Sequence, residues 1–241
     1  GTFRGGMDAW VLNNAPEEKA ELNIKGGNFN ANPTSYVAED YIAVENNGVW
    51  NVVKAAAKIG TTAYATLAEA ITAAEAGETV TLLQDVTLDD ALVIEEGMDV
   101  TVSGEGKTIT GCDGKDVFYV KGGKLTLTEG LNVHAPTDCA IYLRGGDVFT
   151  AANLTKSGDK YSVIQGNGNY AGNVTITGGK VEASDNLTAI YWPQNGKLTI
   201  TGGEIKGHSA VYIASGSLEI TGGKLHGVGA NGSYEGVTGG S

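Results

Sequence analysis

Aliphatic and polar residues alternate along most of this chain in runs of three to five, and the runs are punctuated by paired glycines. Val174-Thr-Ile-Thr-Gly-Gly-Lys-Val181, Leu198-Thr-Ile-Thr-Gly-Gly-Glu-Ile205 and Leu218-Glu-Ile-Thr-Gly-Gly-Lys-Leu225 are successive copies of one motif. Looser copies are Leu125-Thr-Leu-Thr-Glu-Gly-Leu131 and Leu22-Asn-Ile-Lys-Gly-Gly-Asn-Phe29. A second strip recurs as Val117-Phe-Tyr-Val120, Ala140-Ile-Tyr-Leu143, Val163-Ile-Gln165, Ala189-Ile-Tyr-Trp192 and Ala210-Val-Tyr-Ile213. The period of two marks strands with one buried and one wet face. A helix-free unit this short cannot bury its inner face alone, so successive units must stack. The pattern predicts an all-β chain built as a parallel β-helix, with two or three short strands per coil. A sandwich does not explain why whole strand-turn-strand units recur in order.

The helical period appears once. Thr66-Leu-Ala-Glu69 is a capping box, Leu67, Ala70, Ile71 and Ala74 share a face, and Gly77 stands where a C-terminal glycine cap belongs. This predicts a helix over 66–76 that covers the open end of the first coil, where unpaired strand edges invite aggregation. Farther upstream, Asn32-Pro33 starts a short helical turn, and Tyr41 to Glu45 with Val49 to Val53 form a hairpin around Asn47-Gly48.

Composition sharpens the picture. Glycine fills 37 of 241 positions, about 15% against a usual ~7%, and the repeat assigns many of these to corners. Sixteen basic against 28 acidic residues give a net charge of −12, which disfavours nucleic acid as a partner. No apolar run approaches the ~20 residues of a membrane helix, so membrane insertion is not expected, and no signal peptide is visible in the sequence.

Tyr64-Ala-Thr-Leu-Ala-Glu-Ala-Ile71 followed by Ala74-Glu-Ala-Gly-Glu-Thr-Val-Thr-Leu82 resembles the opening of pectin-lyase-like β-helices, including non-catalytic cell-surface proteins of gut Gram-positive bacteria. Gly27-Asn-Phe29, Asn32-Pro-Thr-Ser-Tyr-Val37, Tyr41-Ile-Ala-Val44 and Gly48-Val-Trp-Asn-Val52 are similar to the segment that closes such modules. The resemblance implies a right-handed, single-stranded β-helix with one capping helix and a hairpin cap, and an extracellular, cell-surface location.

The closing element then precedes the opening one. Residues 1–54 read as terminal coils plus the hairpin cap, and 58–241 as the cap helix and main coils. Val237-Thr-Gly-Gly240 is the first half of the repeat and Gly1-Thr-Phe-Arg-Gly5 its second half. A window cut from a tandem array, a circular permutation and a head-to-tail filament subunit all predict that 218–240 pairs with 1–30.

Enzymes of the resembled family imply acids with an arginine base, or clustered aspartates with Gly-His-Gly and Arg-x-Lys. The chain has two arginines, Arg4 and Arg144; Gly207-His208-Ser209 and Glu204-Ile205-Lys206 echo the second pattern faintly, and Asp89-Asp90 is the sole adjacent aspartate pair. A non-catalytic role is expected, with a polysaccharide lyase or hydrolase as the alternative.

Nine acids between Asp85 and Asp116 (Asp85, Asp89, Asp90, Glu95, Glu96, Asp99, Glu105, Asp113 and Asp116) make Ca2+ conceivable. Neither known calcium-loop pattern is present, and charge that keeps strand edges apart explains them better. His134, His208 and His226 lack a metal-ligand spacing. Cys112 and Cys139 are separated by close to one coil, so neighbouring coils would bring them together as a disulfide worth about 3 kcal/mol.

Two outward ladders follow from the repeat. Thr126/Thr128, Thr175/Thr177 and Thr199/Thr201 resemble ice-binding solenoids, but Glu219 breaks the series and threonine is a favoured outward strand residue. If Phe118, Ile141, Ile164, Ile190 and Val211 point inward, then Tyr119, Tyr142, Gln165, Tyr191 and Tyr212 point outward at ~4.8 Å per coil. A tyrosine row offers rigid area with polar tips to glycans or host proteins. It equally serves as cross-strand stabilisation.

Overall fold

A computed structural model describes residues 2–3, 22–228 and 237–239. Gly1, Arg4 with the rest of 4–21, and the stretches 229–236 and 240–241 lie outside the described residues.

Among the described residues the fold is an all-β solenoid of seven coils, each contributing one strand to each of three sheets; pairing from coil to coil is parallel, and Ala57–Ile59 and Thr62–Tyr64 extend the first sheet antiparallel at the start. The first coil runs through Glu78–Leu82, Val86–Thr87 and Leu92–Ile94, and the last through Ser217–Ile220, Lys224–Gly227 and Val237–Gly239. The alternation read from sequence is the alternation observed: Leu125 and Leu127, Val174 and Ile176, and Leu198 and Ile200 are buried between outward threonines. Stacked inward columns form one continuous core, in which each fully buried aliphatic side chain contributes about 1.5–3 kcal/mol. Trp192 is fully buried within it, and its Nε1 is the one buried side-chain polar atom without a partner among the described residues.

The repeated glycines do two different things. Gly97 has φ +86° with nothing near its missing Cβ, so it serves only a left-handed turn. Gly146 has φ +83°, and a Cβ there would stand 2.1 Å from the Gly123 carbonyl oxygen of the preceding coil. Here glycine is required because two backbones meet.

The helix is Leu67–Ala73, shorter than the 66–76 expected. The Thr66–Glu69 capping box forms in both directions, and Leu67, Ala70 and Ile71 are buried against the first coil. Gly77 is not its cap. Ala74 is already extended, and the Gly77 N–H donates to the Asp99 carbonyl at 2.8 Å, so that glycine leads into the first strand.

Residues upstream form a separate four-stranded sheet containing Thr2–Phe3, Gly27–Phe29, Tyr41–Asn46 and Val49–Lys54. The Asn47-Gly48 turn has positive φ at both residues, as a tight two-residue hairpin demands, and Thr34–Tyr36 is the short helical turn expected after Asn32-Pro33. Only Ala55 and Ala56, both buried, separate the hairpin from Ala57–Ile59 of the solenoid. Lys58 Nζ donates to Asp40 at 2.8 Å and the Ala55 N–H to the Asp40 carbonyl at 2.9 Å. These contacts of the sheet lie at the helix-capped end. Within the described residues no strand of 1–54 pairs with the 218–240 coil.

The expected disulfide is absent: Cys112 and Cys139 are free thiols. Coil length keeps them apart. Phe118 pairs with Ile141, so this coil is shorter than the separation of the two cysteines, and Cys139 sits over Asp116 rather than over Cys112.

Two outcomes test this register. Gly97→Ala is expected to cost about 1–2 kcal/mol, the left-handed penalty alone, whereas Gly146→Ala adds a backbone collision and should cost about 3 kcal/mol or more in urea unfolding. Equal losses would contradict the close approach. Thiol titration of the unreduced, unfolded chain should count both cysteines, and reductant should leave Tm unchanged.

Candidate functional site

The third sheet carries the strands Phe118–Val120, Ile141–Leu143, Ile164–Gly166, Ile190–Trp192 and Val211–Ile213 side by side. Their pairing puts Tyr119 opposite Tyr142, Tyr142 opposite Gln165, Gln165 opposite Tyr191 and Tyr191 opposite Tyr212. All five are half-buried, while their strand neighbours, Ile213 apart, are fully inside. The row is thus two tyrosine pairs separated by a glutamine. Tyr119 and Tyr142 meet edge to face at 5.6 Å, and Tyr191 and Tyr212 lie tilted by 35° at 5.5 Å.

Longer connections flank the row and fix it. Asn167 Nδ2 donates to the Tyr142 hydroxyl at 2.7 Å, and the Asn167 N–H donates to Oε1 of fully buried Gln194 at 2.8 Å. Gln194 Nε2 in turn donates to the Gly172 carbonyl. Arg144 stacks on the Tyr170 ring at 4.3 Å and donates to its hydroxyl at 2.5 Å. Its pKa is raised further by these phenol contacts, Tyr170 first and then Tyr119.

Beside the row opens a cleft of about 240 Å³, lined by Asp116, Asp138, Cys139, Tyr142, Tyr161 and Gln165. Asp116 Oδ1 accepts the Cys139 N–H at 3.0 Å, and Asp138 Oδ2 accepts the Thr137 hydroxyl at 2.9 Å. Tyr161 holds φ +62°, a costly conformation for a bulky residue, on the cleft rim. Beneath lies Lys156, whose backbone pairs with Ala135 in an inward column. Its ammonium is buried and donates to the Thr137 carbonyl and, at 2.5 Å, to the Asp138 carbonyl.

Burial sets the electrostatics. It pushes the Asp116 carboxyl above its ordinary value, against the lowering effect of the Cys139 N–H, and it drives the Cys139 thiol far up, so that sulfur stays protonated and unreactive. Burial also lowers Lys156. Neither Asp116 nor Asp138 is in an ion pair among the described residues.

Other candidates are scattered. Asp90 of the Asp89-Asp90 pair bonds exposed Lys115 at 3.1 Å. Asp85 accepts the Thr108 N–H of the next coil, and Glu95 and Asp99 pair with Lys121 and Lys124. Several acids of that stretch thus bridge coils, and the described residues contain no group of three or more acids, histidines or cysteines suited to a metal. His134 hydrogen-bonds Thr155 and Ser157, and His226 faces Glu204 at 3.6 Å, while Lys206, from the same repeat copy as Glu204, pairs with Glu182. His208 sits in a corner where its N–H donates to the Leu187 carbonyl. The threonine ladder is interrupted by Phe149, which stands between Thr126 and Thr175 and is 39% exposed.

Sequence reading missed Asp138, Tyr161 and Lys156. Lys156 alone left a trace: after inward Leu154 and outward Thr155, strand parity assigns it inward. Asp138 and Tyr161 lie in connections without period.

An acid whose folded pKa exceeds its unfolded value keeps its proton longer in the folded chain, so its stabilising effect is greatest below the unfolded range and is lost as pH rises through the folded value. Asp116→Asn removes that slope. Urea midpoints should favour the variant at about pH 7 and converge with the parent near about pH 3. A constant difference would exclude burial of this carboxylate as the cause.

No protein-family model, curated protein or solved structure matches the chain.

Proposed function

We propose that the chain is a non-catalytic, extracellular surface module of the pectin-lyase-like type, from a bacterial cell-surface protein, and that its third sheet binds glycans. The carrying observation is the registered row Tyr119, Tyr142, Gln165, Tyr191 and Tyr212. A row that only stabilised strands would need no further support. Here Asn167, itself held by buried Gln194, holds one tyrosine hydroxyl, and Tyr170 holds the guanidinium of Arg144, so the polar rim is pre-organised. Rigid aromatic faces with fixed polar tips suit sugar rings, which offer C–H faces and equatorial hydroxyls. The stacking of coils makes the same surface a spacer.

A glycan array probed with the parent should give binding that Tyr191→Ala and Tyr212→Ala each weaken roughly ten-fold, the scale of one buried aromatic contact. Unchanged binding in both variants would reject the row as the site. Turnover of polygalacturonate or mucin glycans, with or without calcium, would replace this reading with an enzyme.

A further inference from the structure

Asp116 and Asp138 enter the cleft beside Tyr142 from neighbouring coils and form no ion pair among the described residues, in a chain where Glu95, Asp99 and Glu182 all find lysines, although the Lys156 ammonium acts on both through space. The nearest amine, Lys156, directs its donors at the Thr137 and Asp138 carbonyls. Two carboxylates thus face a cavity whose remaining walls include the rings of Tyr142 and Tyr161. Carboxylate acceptors combined with aromatic faces recognise an ammonium group: the acids accept its N–H donors and the rings attract its charge. A metal ion fits less well, because the described residues bring no third acid, histidine or cysteine to the two aspartates in an arrangement suited to a metal.

Size and position narrow the ligand. The cleft, at about 240 Å³, falls below the ~300–1,000 Å³ typical of drug-sized pockets, so it admits one ring or ring substituent. Tyr142 and Gln165 belong both to the cleft and to the row. A glycan lying along the row therefore directs a substituent of one sugar between the two aspartates.

We propose that this cleft is a subsite for the protonated amine of a 2-amino sugar, so that the module selects de-N-acetylated glycans over their acetylated counterparts. The inference rests on the glycan reading above and adds the sugar class. An N-acetyl group has no charge to offset the two carboxylates, and it places a methyl group where they require donors.

Calorimetric titration of the full chain at near-neutral pH and low salt tests it with three probes: a glucosamine tetrasaccharide, its fully N-acetylated form and tetralysine. The amino tetrasaccharide should bind at least about ten-fold more tightly than the acetylated one, the scale of a charge-assisted hydrogen bond. Asp138→Asn and Asp116→Asn, checked for a parental fold by circular dichroism, should each remove most of that preference and leave the acetylated form unaffected. Equal affinities for the two sugars, or a preference that survives both substitutions, would overturn the subsite and leave the glycan reading standing. Silence of both sugars together with a silent glycan array would sink both. Tight, Asp138-dependent binding of tetralysine with no response to the amino sugar would overturn the sugar assignment in favour of a basic polypeptide.

Discussion

The structure depends on the close approach of backbones at the corners between coils. Parallel ladders need their strands about 4.8 Å apart, and where the chain bends from one sheet into the next that distance leaves no room for a Cβ. At Gly146 the backbone runs against Gly123, and Gly172 approaches Gly146 in turn. A side chain in that column would push the coils apart locally, and the inward columns of both flanking sheets would lose contact together. The conformational freedom of Gly97 is a different and cheaper requirement, since that turn faces open space.

Fixed corners allow the connections between sheets to vary. Along the third sheet the coil from Ile164 to Ile190 is longer than the coils on either side of it, yet the strands stay in register. Residues beyond the strands leave the solenoid as loops, and the loops bring Asp138, Tyr161, Asn167 and Tyr170 around the tyrosine row. The regular part of the molecule supplies an aromatic row, and the irregular part shapes a cleft beside its Tyr142 and Gln165.

Charge follows the same division. On the outer faces, acids and lysines of neighbouring coils neutralise each other in exposed pairs that contribute little individually. Around the cleft, burial disfavours the charged form of Asp116, and the Lys156 ammonium donates to backbone carbonyls instead of pairing with a surface acid.

Period-two alternation and the Gly-Gly repeat were enough to determine the solenoid, the inward columns and the tyrosine register, because each coil repeats the same local choice and parity forces the rest. The Thr66–Glu69 capping box marked the start of the helix for the same reason: cap, partner and spacing are all local. Its end was misjudged because Gly77 is held by Asp99 of the next coil, a partner no local pattern contains. The cysteines show the same limit. Their separation in sequence suggested neighbours, and a coil shorter than that separation set Cys139 over Asp116 instead. The turning of Lys156 toward two carbonyls and the meeting of Asp116 with Asp138 belong to tertiary structure alone, because they depend on which loop residues one coil sets over the next.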